Sequence, residues 1–207
     1  VHIVHIPDGF LSLPVALLSL LISAAFLVLS VIKVRSKKLL TSEKVSILTS
    51  LSAGVFIAQM IAWPIPGGTS LHLVGGALAG IIMGPWLGII SMSLVLLVQC
   101  LIFHDGGITA LGANILCMGV VAVLVGYATY RVLTRLVPNF VAGITAGWLS
   151  LTLAGTACGI ILGVSWGSAL PIYVMSVWHA ILGVVEGVIT GSVISYLHRV
   201  GSILRWE

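Results

Sequence analysis

Charge is what this sequence has least of. Asp, Glu, Lys and Arg together make up 7% of its 207 residues, against about 25% in a soluble domain. Such a supply cannot cover a water-facing surface. With 59% hydrophobic residues and a mean hydropathy of +1.25, the chain reads as an integral membrane protein with one membrane domain, 1–207, and no sizeable soluble one. Cysteine is scarce too. Cys100, Cys117 and Cys158 each stand alone in an apolar stretch, with no C-x-x-C pair, and read as small buried hydrophobes. Two catalytic signatures are absent. There is no H-E-x-x-H for a metalloprotease and no G-x-x-x-x-G-K-[ST] to cradle a nucleotide, so the chain carries no ATPase of its own. Polar residues lining several spans, which a channel needs, are also missing. No long internal repeat supports an inverted-repeat carrier.

What is present in quantity is apolar run. A helix needs about 20 apolar residues to cross about 30 Å of hydrocarbon. Candidate spans lie at roughly 12–33, 45–63, 86–103, 111–130, 140–164 and 173–197, with a shorter stretch at 71–84. The basic residues arbitrate on the short one. With seven crossings, Lys33, Arg35, Lys37, Lys38, Lys44, Arg131, Arg135, Arg199 and Arg205 all fall on one side, which the positive-inside rule makes cytoplasmic. If 71–84 did not cross, Arg131 and Arg135 would change sides. The reading is therefore an all-α bundle of seven transmembrane helices in a cell membrane, N-terminus outside and C-terminus cytoplasmic. Its +4 net charge marks topology and not a nucleic-acid surface. No basic residue precedes the first span, which thus lacks the charged start of a signal peptide and is expected to stay in the mature protein. Three double G-x-x-x-G strips, at Gly76, Gly80 and Gly84, at Gly155, Gly159 and Gly163, and at Gly183, Gly187 and Gly191, suit close helix packing. That packing is either internal or against a partner's helices.

Five of the six histidines gather on the outer side: His2, His5, His72, His104 and His179. Two of them open the chain, in the doubled triplet Val1-His2-Ile3 and Val4-His5-Ile6. In an X-His terminus the α-amine, the amide nitrogen of the His and its imidazole can all point at one ion. Three coplanar nitrogens and a fourth from elsewhere suit Ni2+ or Cu2+. His72, after a Gly-rich loop on the same side, is a candidate fourth ligand. His104 and Asp105 can bind metal or orient a ligand through hydrogen bonds, or form a capped turn. Asn114 is buried by position and needs partners. His179 and Glu186, seven apart on one helix face, are either functional groups or structural clamps. A weak G-x-S-x-G at Gly163–Gly167, with His179, raises an intramembrane serine protease using Ser165. That motif needs a strand–turn–helix setting, which is missing here.

The strings HIPDGFLS at 5–12, GTSLHLVGG at 68–76, HDGGITALGAN at 104–114 and WHAILGVVEGVIT at 178–190 resemble the CbiM/NikM family. These are the substrate-binding (S) components of energy-coupling-factor importers for cobalt and nickel. The resemblance covers nearly the whole chain. It implies a six-helix S-component core with one helix added in front. It also implies a metal held by an N-terminal amine, the amide and imidazole of the second-residue histidine, and the loop histidine, here His72. The partners it implies are a transmembrane coupling (T) component and two ATPase subunits, with a small accessory membrane subunit in some systems. The chain departs from the pattern at the terminus, where the family starts Met-His-Ile. His5 takes the histidine position by alignment, and Val1-His2-Ile3 stands in front of it. Either Val1 and His2 form the chelate, or the triplet is removed and Val4 and His5 do. The Pro-Asp after the histidine resembles nickel-type members, so Ni2+ is the expected cargo and Co2+ the alternative.

Overall fold

Each helix starts and stops where the local chemistry dictates. In the computed structural model, which describes residues 5–66 and 70–201, α1 (Leu13–Ser36) carries Pro14 in its first turn and Lys33 and Arg35 in its last. That placement suits the helix dipole at both ends. α2 (Ser42–Gln59) is capped by the Thr41 side chain, which accepts from Lys44 N. A two-stranded antiparallel hairpin follows, β1 (Ala62–Pro64) and β2 (Ser70–His72), with Ala62 opposite His72. α3 (Gly76–Ile102) is broken at Gly84. α4 (Leu111–Leu133) contains a π stretch at Ile115–Val121. α5 (Asn139–Trp166) stops at Gly167 and α6 (Leu170–Val200) at Gly201, both glycines in the left-handed conformation that ends helices without a Cβ penalty.

Among the described residues six helices stand where seven separate spans are expected. The reason is Gly84, whose φ of 77° and ψ of 167° belong to a region open essentially to glycine alone, followed by Pro85, which has no N–H to continue the ladder. The chain reverses there. A Cβ on Gly88 would lie 3.1 Å from the backbone of Ala79, nine residues back, so 76–83 folds against 85–102. The expected short span over 71–84 is thus one arm of a broken element. Its eight helical residues rise about 12 Å, less than the roughly 30 Å of a hydrocarbon core.

The bundle is inside out relative to a soluble protein. Leu13, Leu21 and Tyr173 are 71%, 68% and 71% exposed, while buried polar groups such as Gln59, Gln99 and Thr190 are at 0%. Among the described residues five helices, α1 and α3–α6, are long and apolar enough to cross a membrane. α2, which begins Ser-Glu-Lys, is shorter and more polar. Apart from Gly84, which has open space beside it, the glycine strips are consumed internally. Gly143, Gly147 and Gly155 of α5 meet Gly191, Gly187 and His179 of α6, and Gly76 and Gly80 of α3 meet Ala122 and Val123 of α4. At one end of the bundle the turn at Gly84 lies with Arg131, Thr134 and His198, and Met83 lies with Lys44. His5, His72 and His179 converge at the other end.

Candidate metal centre

The N-terminal segment is held at that second end by the loop before α4. Ile6 N donates to Asn114 Oδ1 (3.1 Å), and Asn114 Nδ2 donates to Ile6 O (3.2 Å). Gly107 N adds a bond to Ile6 O at 2.9 Å. Asp8 Oδ1 accepts from the backbone and hydroxyl of Thr109, which holds its carboxyl below the usual range. Trp166 Nε1 donates to Phe10 O at 2.8 Å. The segment lies so close that a Cβ on Gly107 would fall 2.2 Å from Asp8 N. The HIPDGF and HDGGITALGAN strings are therefore two halves of one clamp.

This clamp sets His5 beside His72, ring centroids 5.0 Å apart and 68° between planes. Both are buried. His5 Nε2 lies 2.9 Å from Gln99 Oε1. An amide oxygen can only accept, so Nε2 carries the proton and Nδ1 keeps a lone pair. His5 Nδ1 is buried and, among the described residues, has no hydrogen-bond partner. His72 is the mirror case. Its Nδ1 lies 2.9 Å from the Leu73 carbonyl, so Nε2 keeps the lone pair. Burial, then the neighbouring His5, push the His72 pKa down to about 3, against the opposing pull of the Leu73 carbonyl. Burial also lowers His5, although Asp105, 4.0 Å from Nε2, works the other way. Both imidazoles are thus neutral at pH 7, the form that binds a metal. They line a cavity of about 30 Å³ together with Asn114 and His179.

The strand bearing His72 is braced from both sides. Val74 O accepts from Gln59 Nε2 at 2.7 Å. The Glu186 carboxyl accepts from Val74 N at 2.7 Å and Gly75 N at 2.9 Å, satisfying N–H groups at the start of the 76–83 arm.

Residues 5–204 match the family described as the cobalt uptake substrate-specific transmembrane region, CbiM. The chain belongs to the CbiM family. It is 48% identical over 197 residues to a putative fused nickel transport protein, NikMN, of Archaeoglobus fulgidus, covering 93% of this chain and 65% of that one. It is 31% identical to the cobalt transport protein CbiM of Geobacter sulfurreducens, covering 96% of this chain and 60% of that one. The chain therefore spans less than two thirds of the length of these two relatives. Its fold is similar to a crystal structure of a transition metal transporter, with a TM-score of 0.89, 34% identity, and 95% of this chain and 93% of that one covered. With its five apolar helices, this CbiM-family chain is a multi-pass membrane protein.

The structure sorts the expected site residues of this CbiM-family chain. His5, His72, Asn114 and His179 share the cavity, Asp105 sits against His5, and Glu186 braces the His72 strand. Val1 and His2 lie outside the described residues. His104 is exposed, with φ 53°, and serves the turn. His179 Nδ1 bonds the Met175 carbonyl at 2.7 Å, and a Cβ on Gly155 would fall 2.2 Å from its ring. Ser165 does not line the cavity with His179, so no serine–histidine pair is formed among the described residues. Gln59 and Gln99 were not expected, although a glutamine within an apolar run is itself a signal of a buried partner. Among the described residues no three His, Cys, Asp or Glu side chains are grouped to hold an ion by themselves.

Proposed function

We propose that this CbiM-family chain captures Ni2+ at the extracytoplasmic mouth of the bundle, as the substrate-binding component of an ATP-driven importer. The observation that carries the reading is the pair of lone pairs, His5 Nδ1 and His72 Nε2, presented at one small cavity by neutral imidazoles. Two side-chain nitrogens do not complete a coordination sphere, and the family resemblance implies backbone nitrogens of the N-terminal segment as the remaining donors. The amide nitrogen of His5 and an amine at Val4, where that residue is the first of the mature chain, would complete a four-nitrogen set. The alternative set of Val1 and His2 would have to displace His5 from the place it holds. Nickel is favoured by the planar nitrogen set and by relatives named as nickel transport proteins. Co2+ is the second reading, favoured by the family's description.

Transport needs partners: a transmembrane coupling component and two ATPase subunits, joined in some systems of this family by a small accessory membrane subunit. The described basic residues lie at the end opposite His5, so that end is cytoplasmic by the positive-inside rule and the histidine end faces out of the cell membrane. The experiment that tests the site is titration of purified protein with Ni2+ and Co2+ by calorimetry, with anomalous scattering to identify the bound element and its ligands. His72→Ala should reduce Ni2+ affinity by far more than tenfold, or ~1.4 kcal/mol. Affinity within threefold of the parent would overturn the site. Orientation is checked by an impermeant thiol reagent on cells, which should modify a cysteine at exposed Ile108 and miss one at Ser36.

A further inference from the structure

The cavity that opens on imidazole ends on sulfur. Its wall includes Cys117 and Met118 from the π stretch of α4, Cys158 from α5 and Met175 from α6. Cys117 and Cys158 are 3% and 9% exposed, and they line this one small cavity from α4 and α5, which pack against each other. At 1.5 Å per residue, six residues from Leu111 and eight from Trp166 place them about 9 Å and about 12 Å inside the histidine end. The π stretch is a second and independent observation. A π turn gives up regular helical bonding and occurs frequently at functional positions, and here it carries Cys117 and Met118 at the cavity wall. Neither thiol takes part in holding His5 or His72.

We infer that Cys117 and Cys158 form a second metal subsite, which takes a soft divalent transition-metal ion between two thiolates. Thiolate and thioether sulfur select soft ions over hard ones such as Mg2+ and Ca2+, which require oxygen. Charge selects the valence. One divalent ion and two thiols give a neutral bis-thiolate and two protons released to solvent, with no change in oxidation state. A monovalent ion on the same two thiolates would leave a net negative charge in an apolar interior, at high cost. Met118 and Met175 supply the thioether sulfurs of the surrounding wall.

The subsite stands on the thiol pair and does not depend on the imidazole site, so the two fail separately. The test uses the purified full chain and Cd2+ as the probe, read by thiolate-to-metal charge-transfer absorption and by the number of ions bound. The lone thiol of Cys100 cannot chelate, and an ion on imidazole alone gives no sulfur band. One Cd2+ per chain with the sulfur band is expected in the parent, in Cys100→Ser and in His72→Ala. The band should vanish in the Cys117→Ser/Cys158→Ser double variant. Cadmium-edge X-ray absorption on the unmutated chain, which does not depend on a variant folding, should find two sulfur ligands from cysteine. No sulfur band in the parent, a band that survives the double substitution, or a ligand shell without sulfur would overturn the subsite.

Discussion

Glu186 offers the sharpest test of how position is controlled. Its carboxyl accepts from Val74 N at 2.7 Å and Gly75 N at 2.9 Å, two and three residues beyond His72, and it is not part of the imidazole cavity wall. Glu186→Ala strips both N–H groups of their acceptor in an apolar surrounding. A buried unsatisfied group costs about 1–3 kcal/mol, so two cost about 2–6 kcal/mol at most. Gln59 still holds Val74 O and β1 still pairs with β2, so the strand is loosened rather than lost. An ion must then order 72–75 on binding. Returning even a third of the upper figure weakens binding by more than tenfold, at ~1.4 kcal/mol per factor of ten. Glu186→Gln keeps one acceptor but points an N–H at the other donor, and should fall between. Calorimetry with Ni2+ and thermal unfolding in detergent read both effects. A Glu186→Ala protein that unfolds at the parental temperature and binds Ni2+ within threefold would refute the bracing argument.

Two further outcomes follow from the hydrogen bonds and the burial at the site. Gln99→Leu removes the acceptor that fixes His5 and should weaken Ni2+ binding by about 10–100-fold, the usual cost of losing a group that orients a metal ligand, whereas equal affinity would show that Gln99 does not set the tautomer. For the metal-free protein, the pKa of His72 is lowered from 6.5 to about 3 on folding, so between those values the unfolded chain binds a proton that the folded chain does not. Stability is therefore full above about pH 6.5 and falls as pH drops toward 3, by at most ~1.4 kcal/mol per pH unit from this group. Chemical denaturation across that range should show His72→Ala with the shallower slope, and parallel slopes would contradict the burial argument.

The sequence carries its membrane character, its helix ends and the segregation of histidine from basic residues because those follow from local composition. The short third stretch is visible in the same way, but its form is not. Whether 71–84 is a separate helix depends on how sharply the chain turns at Gly84-Pro85, and a glycine permits many angles. The glycine strips announce close packing without naming the partner, and the partners are other helices of this chain. The histidines stand out because they are the rare polar groups on their side. Gln59, Gln99 and Glu186 gain their meaning only from contacts 15, 94 and 112 residues away, which no local pattern reveals. Cys117 and Cys158 look like isolated hydrophobes along the chain and become a pair only when α4 meets α5.

On the proposed reading, the tautomers explain why a glutamine in the middle of an apolar helix suits a metal site built on the segment that carries His5. Of the two imidazole nitrogens, Nδ1 is the one close enough to its own backbone to share an ion with the amide nitrogen of the same residue. Nε2 points away and can only serve an ion held by something else. A chelate that starts from the backbone therefore needs Nδ1 unprotonated on His5, and a ligand arriving from across the cavity can use Nε2 of His72. The hydrogen bonds supply that combination without any ion: Gln99 takes the Nε2 proton of His5, and the Leu73 carbonyl takes the Nδ1 proton of His72. Swapping either tautomer would aim a proton into the cavity. The selection is thus made by two neutral acceptors, while the Asp105 carboxyl stands 4.0 Å from Nε2 of His5, on the side away from its Nδ1. A cation held there gains its binding energy from nitrogen lone pairs and not from a carboxylate. If the proposed site holds, it should favour ions that bind nitrogen strongly, such as nickel or cobalt, over Mg2+ and Ca2+, which require oxygen.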